Sequence, residues 1–248
     1  MAIFCIGDIH GKFPELANRL RELPDGANVI CVGDIGLGFA DSLTPHCLDE
    51  PDQVATIKNQ TVWLMRGNHD DPAIWKFKRY AWNDHLKSIR IPPDIHRMMI
   101  GNIHVIMVGG ATSLDRGHPA RIDGENWWSD EAVSRSAPKL VENMVESYGP
   151  ADLLCTHCGP IEAQPGMDRD EESFAYYSNI DPDLRKDVKA ERTLISQIVA
   201  ASRTKHVAFG HYHVAIETVV NNVKYRCCAE LEPWEHVKRS VLPPLPSL

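Results

Sequence analysis

The chain has 248 residues, a formal net charge of -8 and seven cysteines, a length that fits one large domain with material for a full core. The acidic balance argues against a long nucleic-acid footprint, which favours a basic face, although bound cations would reverse the field locally. No apolar stretch approaches the length of a membrane span, and seven thiols without a secretory segment point to a reducing, cytoplasmic setting.

Strand and helix patterns alternate along the chain. Ile3-Phe4-Cys5-Ile6 reads as a buried strand. Phe13, Leu16, Leu20 and Leu23 then follow at helical spacing. A second strand ends at Val32, residues 37–50 read as a loop, and Pro51 begins a short helix to Lys58. A third strand ends at Met65. Asp71-Pro72 reads as an N-cap with proline in the first turn of a helix through Tyr80. Ile89 to Ile91, Arg97 to Ile100 and Ile103 to Val108 read as antiparallel strands, with a turn at Gly101-Asn102. Ser129-Asp130-Glu131 reads as the cap of a helical stretch toward Tyr148, broken or restarted at Pro138. Asp152 to Thr156 is a strand, 157–185 a long polar loop, Val188 to Ala201 a helix and His206 to Phe209 a strand. A final hairpin runs over Val214 to Cys228. Residues 1–232 are therefore expected to form one domain, and 233–248 a Pro-rich C-terminal tail dispensable for chemistry.

Five clusters of Asp, Asn and His end or follow the apolar runs. They are Gly7-Asp8-Ile9-His10-Gly11, Gly33-Asp34, Gly67-Asn68-His69-Asp70, His157, and Gly210-His211-Tyr212-His213. The ends of strands in open α/β sheets are where ligands bind. Asp8 and His10, two apart on extended chain, can grip one ion, as can His211 and His213. Asp34 has two oxygens and can bridge two ions. Asn68 offers an amide oxygen without added charge. Carboxylate, amide and imidazole without thiolate suit manganese, iron, cobalt or zinc.

The ordered series Asp-x-His, Gly-Asp, Gly-Asn-His-Asp, His, Gly-His-x-His resembles the calcineurin-like metallophosphoesterase superfamily over residues 7–213. The resemblance implies an α/β (α+β) fold, a two-sheet β-sandwich flanked by helices with a dinuclear site at the strand ends. It implies two divalent metal ions, manganese first, with iron, zinc or cobalt as alternatives. Asp8, His10, Asp34 and His213 would hold one, and Asp34, Asn68, His157 and His211 the other. The implied chemistry is hydrolysis of phosphomonoesters or phosphodiesters by a metal-bridging hydroxide. His69 would be the general acid and Asp70 the residue that orients it.

Two departures matter. Gly33-Asp34 is followed by Ile35-Gly36-Leu37-Gly38, where the family's Ser/Thr protein phosphatases carry Tyr-Val-Asp-Arg-Gly, and the acid after His69 is Asp where they carry Glu. A second signature, Gly109-Gly110-Ala111, Ser113, Asp115, Arg121, Gly124, Trp127-Trp128 and Glu131, resembles a segment of a bacterial and phage subset. It reads either as a cap, residues 110–131, with Arg116 or Arg121 reaching the substrate, or as a Gly turn with two Trp packing a helix on a sheet edge. Cys155 and Cys158 have C-x-x-C spacing but lack a second pair, so a buried strand-end thiol and a loop thiol are expected. His46, His85, His96, His104, His118, His206 and His236 are expected to be structural. The expected partner is a small-molecule or nucleotide phosphoester. Alternatives are a nucleotide or dinucleoside-polyphosphate hydrolase, a protein phosphatase, a nuclease and a catalytically silent scaffold.

Overall fold

The computed structural model of the chain describes residues 2–163 and 171–236. Its strands form two mixed sheets. The first has the order β11-β1-β2-β3-β4, where β1 is Ile3–Ile6, β2 Asn28–Cys31, β3 Thr61–Leu64, β4 Ile89–Arg90 and β11 Pro233–His236. The second has the order β5-β6-β7-β8-β10-β9, with β5 Ile95–Ile100, β6 Ile103–Val108, β7 Leu153–Thr156, β8 His206–Phe209, β9 Ile216–Val220 and β10 Val223–Cys227.

Period-2 alternation explains both layers. Ile3, Cys5, Ile30 and Val32 face Val105, Met107, Leu153 and Cys155 in the core between the sheets. Their neighbours Phe4, Ile6, Val29 and Cys31 point the other way, onto α1 (Phe13–Glu22) and α2 (Asp49–Ile57). On the far side, Ile106, Val108 and Leu154 pack on α4 (Ala137–Tyr148) and α6 (Leu184–Ser202). Central strands buried on both faces read as continuous apolar runs, which is why the sequence exposes them. β1, β2 and β3 are mutually parallel, as are β6, β7 and β8, so each sheet brings its C-terminal strand ends to one edge. Among the described residues no helix is long and apolar enough to cross a membrane.

The structure corrects several expectations. β4 is parallel to β3, pairing Ile89 with Val62 in the first sheet; it is not an antiparallel neighbour of β5. The helix expected after Asp71-Pro72 is present, with Asp71 Oδ1 accepting the Ala73 N–H at 2.8 Å, but it passes through a π-helical turn, Ile74–Lys78, and continues beyond Tyr80 as α3 (Arg79–His85). α4 starts at Ala137, with Pro138 in the first turn where its missing N–H costs nothing, because the Glu131 carboxylate is taken by Ser113 and does not cap a helix. Within the supposed loop 157–185, Glu171–Ile180 form α5, which buries only Phe174 and so lacks an apolar stripe. The domain also reaches beyond residue 232: Pro233–His236 pair antiparallel with β1 on the sheet edge, where a strand tolerates proline. Residues 237–248, including the Pro-rich run of the tail, lie outside the described residues.

Candidate metal centre

Asp8 and His10 follow β1, Asp34 follows β2, Asn68 follows β3, His157 follows β7, and His211 and His213 follow β8. The turns are tight. His10, Asp34, His211 and His213 all have left-handed backbones, at φ 49°, 48°, 69° and 52°. A Cβ at Gly67 would collide with the Asp34 carboxylate and the His157 ring, so only glycine lets β3 end there.

Two donor clusters result. In the first, His10 Nε2 is 2.9 Å from His213 Nε2, and His213 Nε2 is 3.1 Å from Asp8 Oδ2. In the second, His157 Nε2 lies 3.1 Å from Asp34 Oδ1 and 3.2 Å from Asn68 Oδ1, and His211 Nδ1 lies 3.0 Å from Asn68 Oδ1. Asp34 connects them: its Oδ2 lies 3.8 Å from His10 Nε2, while its Oδ1 faces His157. Each cluster's His and Asp donor atoms lie within 4.8 Å of one another.

Electrostatics follow from this crowding. Burial alone would raise the Asp34 carboxyl, but the imidazoles of His157, His69 and His10 hold it well below the usual range. His157 moves up against its own burial, because the Asp34 and Asp8 charges favour its cation. Burial and the neighbouring His157 push His211 down to about 3. Protons on imidazole thus offset the carboxylates, and a cation in either cluster would displace them.

The orientation of Asn68 is set from behind. Its Nδ2 donates to Ser113 Oγ at 3.0 Å. Ser113 Oγ in turn donates to Glu131 Oε2 at 2.7 Å, and Ser113 N donates to Glu131 Oε1 at 2.6 Å. With its hydroxyl hydrogen spent on Glu131, Ser113 can only accept, so the Asn68 carbonyl oxygen must face His157 and His211. The second sequence signature therefore supplies a support for one candidate ligand.

The contacts of Asp70 differ from those of an acid that orients His69. Its buried carboxylate accepts four backbone N–H bonds: from Ile35 at 3.1 Å, Gly36 at 2.9 Å, Leu37 at 3.0 Å and Gly67 at 2.7 Å. Among the described residues it makes no hydrogen bond to the His69 ring. It staples the Asp34 turn to the Asn68 turn. Burial and the Asp34 charge push it up to about 7, while the N–H bonds pull it back. Asp70→Asn puts an NH2 group against backbone donors. The expected outcome is a loss of about 1–3 kcal/mol per abandoned N–H in denaturant unfolding. Activity should fall uniformly across substrates; a selective loss on esters with basic leaving groups would restore the His69-orienting role.

The profile of the calcineurin-like phosphoesterase family matches residues 1–215. The chain belongs to that family. Two solved structures share its fold at TM-scores of 0.59 and 0.57 with 15% and 8% identity. The first covers 94% of this chain and 92% of its own, and the second, a protein from Thermus thermophilus, 93% and 90%. A phosphopantetheinyl hydrolase from Mycobacterium tuberculosis is also similar, at 13% identity, TM-score 0.49 and 98% coverage of both chains. No curated protein matches the sequence.

The two arginines proposed for substrate are occupied elsewhere in this family member. Arg116 pairs with Asp181 at 2.5 Å and Asp187 at 2.8 Å and lines a different cavity, beside Val133 and Ala190. Arg121 pairs with Asp115 at 2.5 Å and donates to Asn126 O at 2.9 Å. Both brace the segment 110–131, and Arg116 ties it to the chain that joins α5 to α6; neither lines the cavity at the two clusters. Thr112, Leu114 and Asp115 of the same segment do line a cavity shared with Asp34, Asn68 and His69. Buried Trp128 lies edge-on to Phe39 at 5.2 Å, and Phe39 stacks with His69 at 6.3 Å. Cys155 and Cys158 serve different cores: Cys155 lies between the sheets, 4.0 Å from Cys5 Sγ, and Cys158 packs under α6.

Sequence reasoning missed Phe39, which sits in an aperiodic loop, and Tyr212, which lies inside a quoted motif and lines the site cavity. It also set aside His46 and His85, which converge with Asp49 on the surface, at 3.1 and 2.6 Å from its two carboxylate oxygens.

Proposed function

We propose that each cluster holds a divalent cation and that the protein hydrolyses phosphomonoesters or phosphodiesters. The observation that carries the reading is Asp34, whose two oxygens face opposite clusters. Asp8, His10, Asp34 and His213 would hold one cation, and Asp34, Asn68, His157 and His211 the other. The residues fit such ions: Asp8 Oδ2 is buried without a well-formed hydrogen bond, His157 and His211 converge on Asn68 Oδ1, and His10 and His213 bring their Nε2 atoms within 2.9 Å of each other. The donor types suit manganese, iron, zinc or cobalt. Bound there, the cations would supply charge to offset the phosphoryl oxygens and bring a water's pKa toward about 7.

The chain's own contribution centres on His69. Its backbone N–H donates to Asp34 Oδ1 at 2.8 Å, which fixes it to the bridging carboxylate. Phe39 stacks beside its ring, and the residue lines two cavities. In this reading it gives a proton to the leaving oxygen. Metal-free protein titrated with Mn2+ by calorimetry should take up two ions per chain. Turnover of nitrophenyl phosphate or bis(nitrophenyl) phosphate should appear only with them. Full activity at one ion per chain, or turnover in excess chelator, overturns the reading.

A further inference from the structure

The candidate metal-centre cavity that is lined by Asp34, Asn68, His69 and His211 also has an apolar part to its wall. That part is Leu114, Phe174, Tyr177, Val188 and Tyr212, drawn from the segment after β6, from α5 and α6, and from the turn after β8. The cavity measures about 310 Å3. This is the small end of ligand pockets, about 300–1,000 Å3, and fits one ring system beside a phosphate.

The wall is built and held. Phe174, Leu184 and Val188 form a small core of their own, separate from the three larger ones, with Leu114 and Tyr177 packed at its open margin. The Arg185 guanidinium sits 4.5 Å over the Phe174 ring, and Arg116 ties the segment after β6 to Asp181, just after α5, and to Asp187 in the first turn of α6. Tyr212 is anchored by its hydroxyl, 3.4 Å from Cys158 Sγ, which leaves its ring beside His211. The aromatic side chains are therefore placed before anything binds, and the cost of ordering them is not met at binding.

Among the described residues the lining of the cavity holds no Lys or Arg to receive a second phosphate. Asp115 and Glu191 line it, and their partners are already given: Asp115 to Arg121, and Glu191 to the backbone N–H groups of Thr112 and Val133. Another anionic group would meet those carboxylates.

We propose that this cavity receives the organic group of the substrate, and that the group is a flat aromatic ring carried on a single phosphate. The proposal rests on the phosphoesterase reading above. Phosphonates, which bind without turning over, test it as competitive inhibitors of the metal-loaded enzyme. Phenylphosphonate should inhibit at least about tenfold more tightly than methylphosphonate, the scale set by burying one ring. Tyr177→Ala and Leu114→Ala should erase most of that ratio while leaving methylphosphonate unchanged, and Tyr177→Phe should keep it. A nucleoside monophosphate binding more tightly than phenylphosphonate would identify the ring as a nucleobase, and the reverse order as a simple aryl group. The nucleoside diphosphate should bind more weakly than the monophosphate. Equal inhibition by methyl- and phenylphosphonate in the wild type, or tighter binding of the diphosphate, overturns the proposal while leaving the phosphoesterase reading intact. Absence of inhibition by any phosphonate, with no metal-dependent turnover, overturns the reading beneath it.

Discussion

Asp34→Ala is expected to leave a folded chain that has lost both cations and its turnover. The two oxygens of the Asp34 carboxylate face opposite donor clusters, so its removal takes a candidate ligand from each. The fold should persist, because the backbone carbonyl of Asp34, which accepts the N–H groups of Ile9 and His10 at 2.9 and 2.8 Å, is untouched. Loss should be at least the about 10²–10³-fold that follows removal of a single transition-state contact. Elemental analysis, thermal unfolding and turnover of bis(nitrophenyl) phosphate check the three parts. A variant that retains two tightly bound ions would show that Asp34 does not bridge them.

His69→Ala is expected to spare the cations and separate substrates by their leaving groups. Its imidazole lies beside the clusters: the ring is 5.3 Å from His10, centroid to centroid, and only its backbone touches Asp34. An alkyl ester expels a basic alkoxide and needs a proton, whereas nitrophenolate leaves without one. Loss on alkyl esters should approach the about 10²–10⁴-fold of a general acid, with a much smaller loss on nitrophenyl esters. Equal losses, at full metal content and with chemistry limiting, would assign His69 to holding the phosphate by charge. Asp70→Asn should not reproduce the pattern, since that carboxylate staples two turns together.

The candidate ligands were legible because each sits within a few residues of a strand buried on both faces. Such strands announce themselves as apolar runs, and the runs mark where the chain turns back. Support for the ligands was not legible in the same way. The four donors to Asp70 include three from residues 35–37, more than thirty positions upstream, and no local pattern couples them. The arginines misled for a related reason: a guanidinium in a polar segment looks available until its carboxylates arrive from far along the chain, at Asp181 and Asp187. α5 itself escaped because one buried residue in ten gives no stripe, and β11 because its partner is the first strand of the chain. The sequence did single out Ser113 and Glu131, and the structure supplied their work.

The left-handed turns at His10, Asp34, His211 and His213 have a practical side. Histidine and aspartate tolerate that backbone better than most residues, yet each such position costs on the order of 1–3 kcal/mol. Natural domains hold only about 5–15 kcal/mol in all. A glycine at one of the three histidines would relax its turn, whereas at Asp34 the relief is set against the loss of the buried pair with His157 and of the acceptor for the His69 N–H. Breeding this protein for heat resistance, with no assay of chemistry alongside, would therefore enrich variants that had discarded its working residues first.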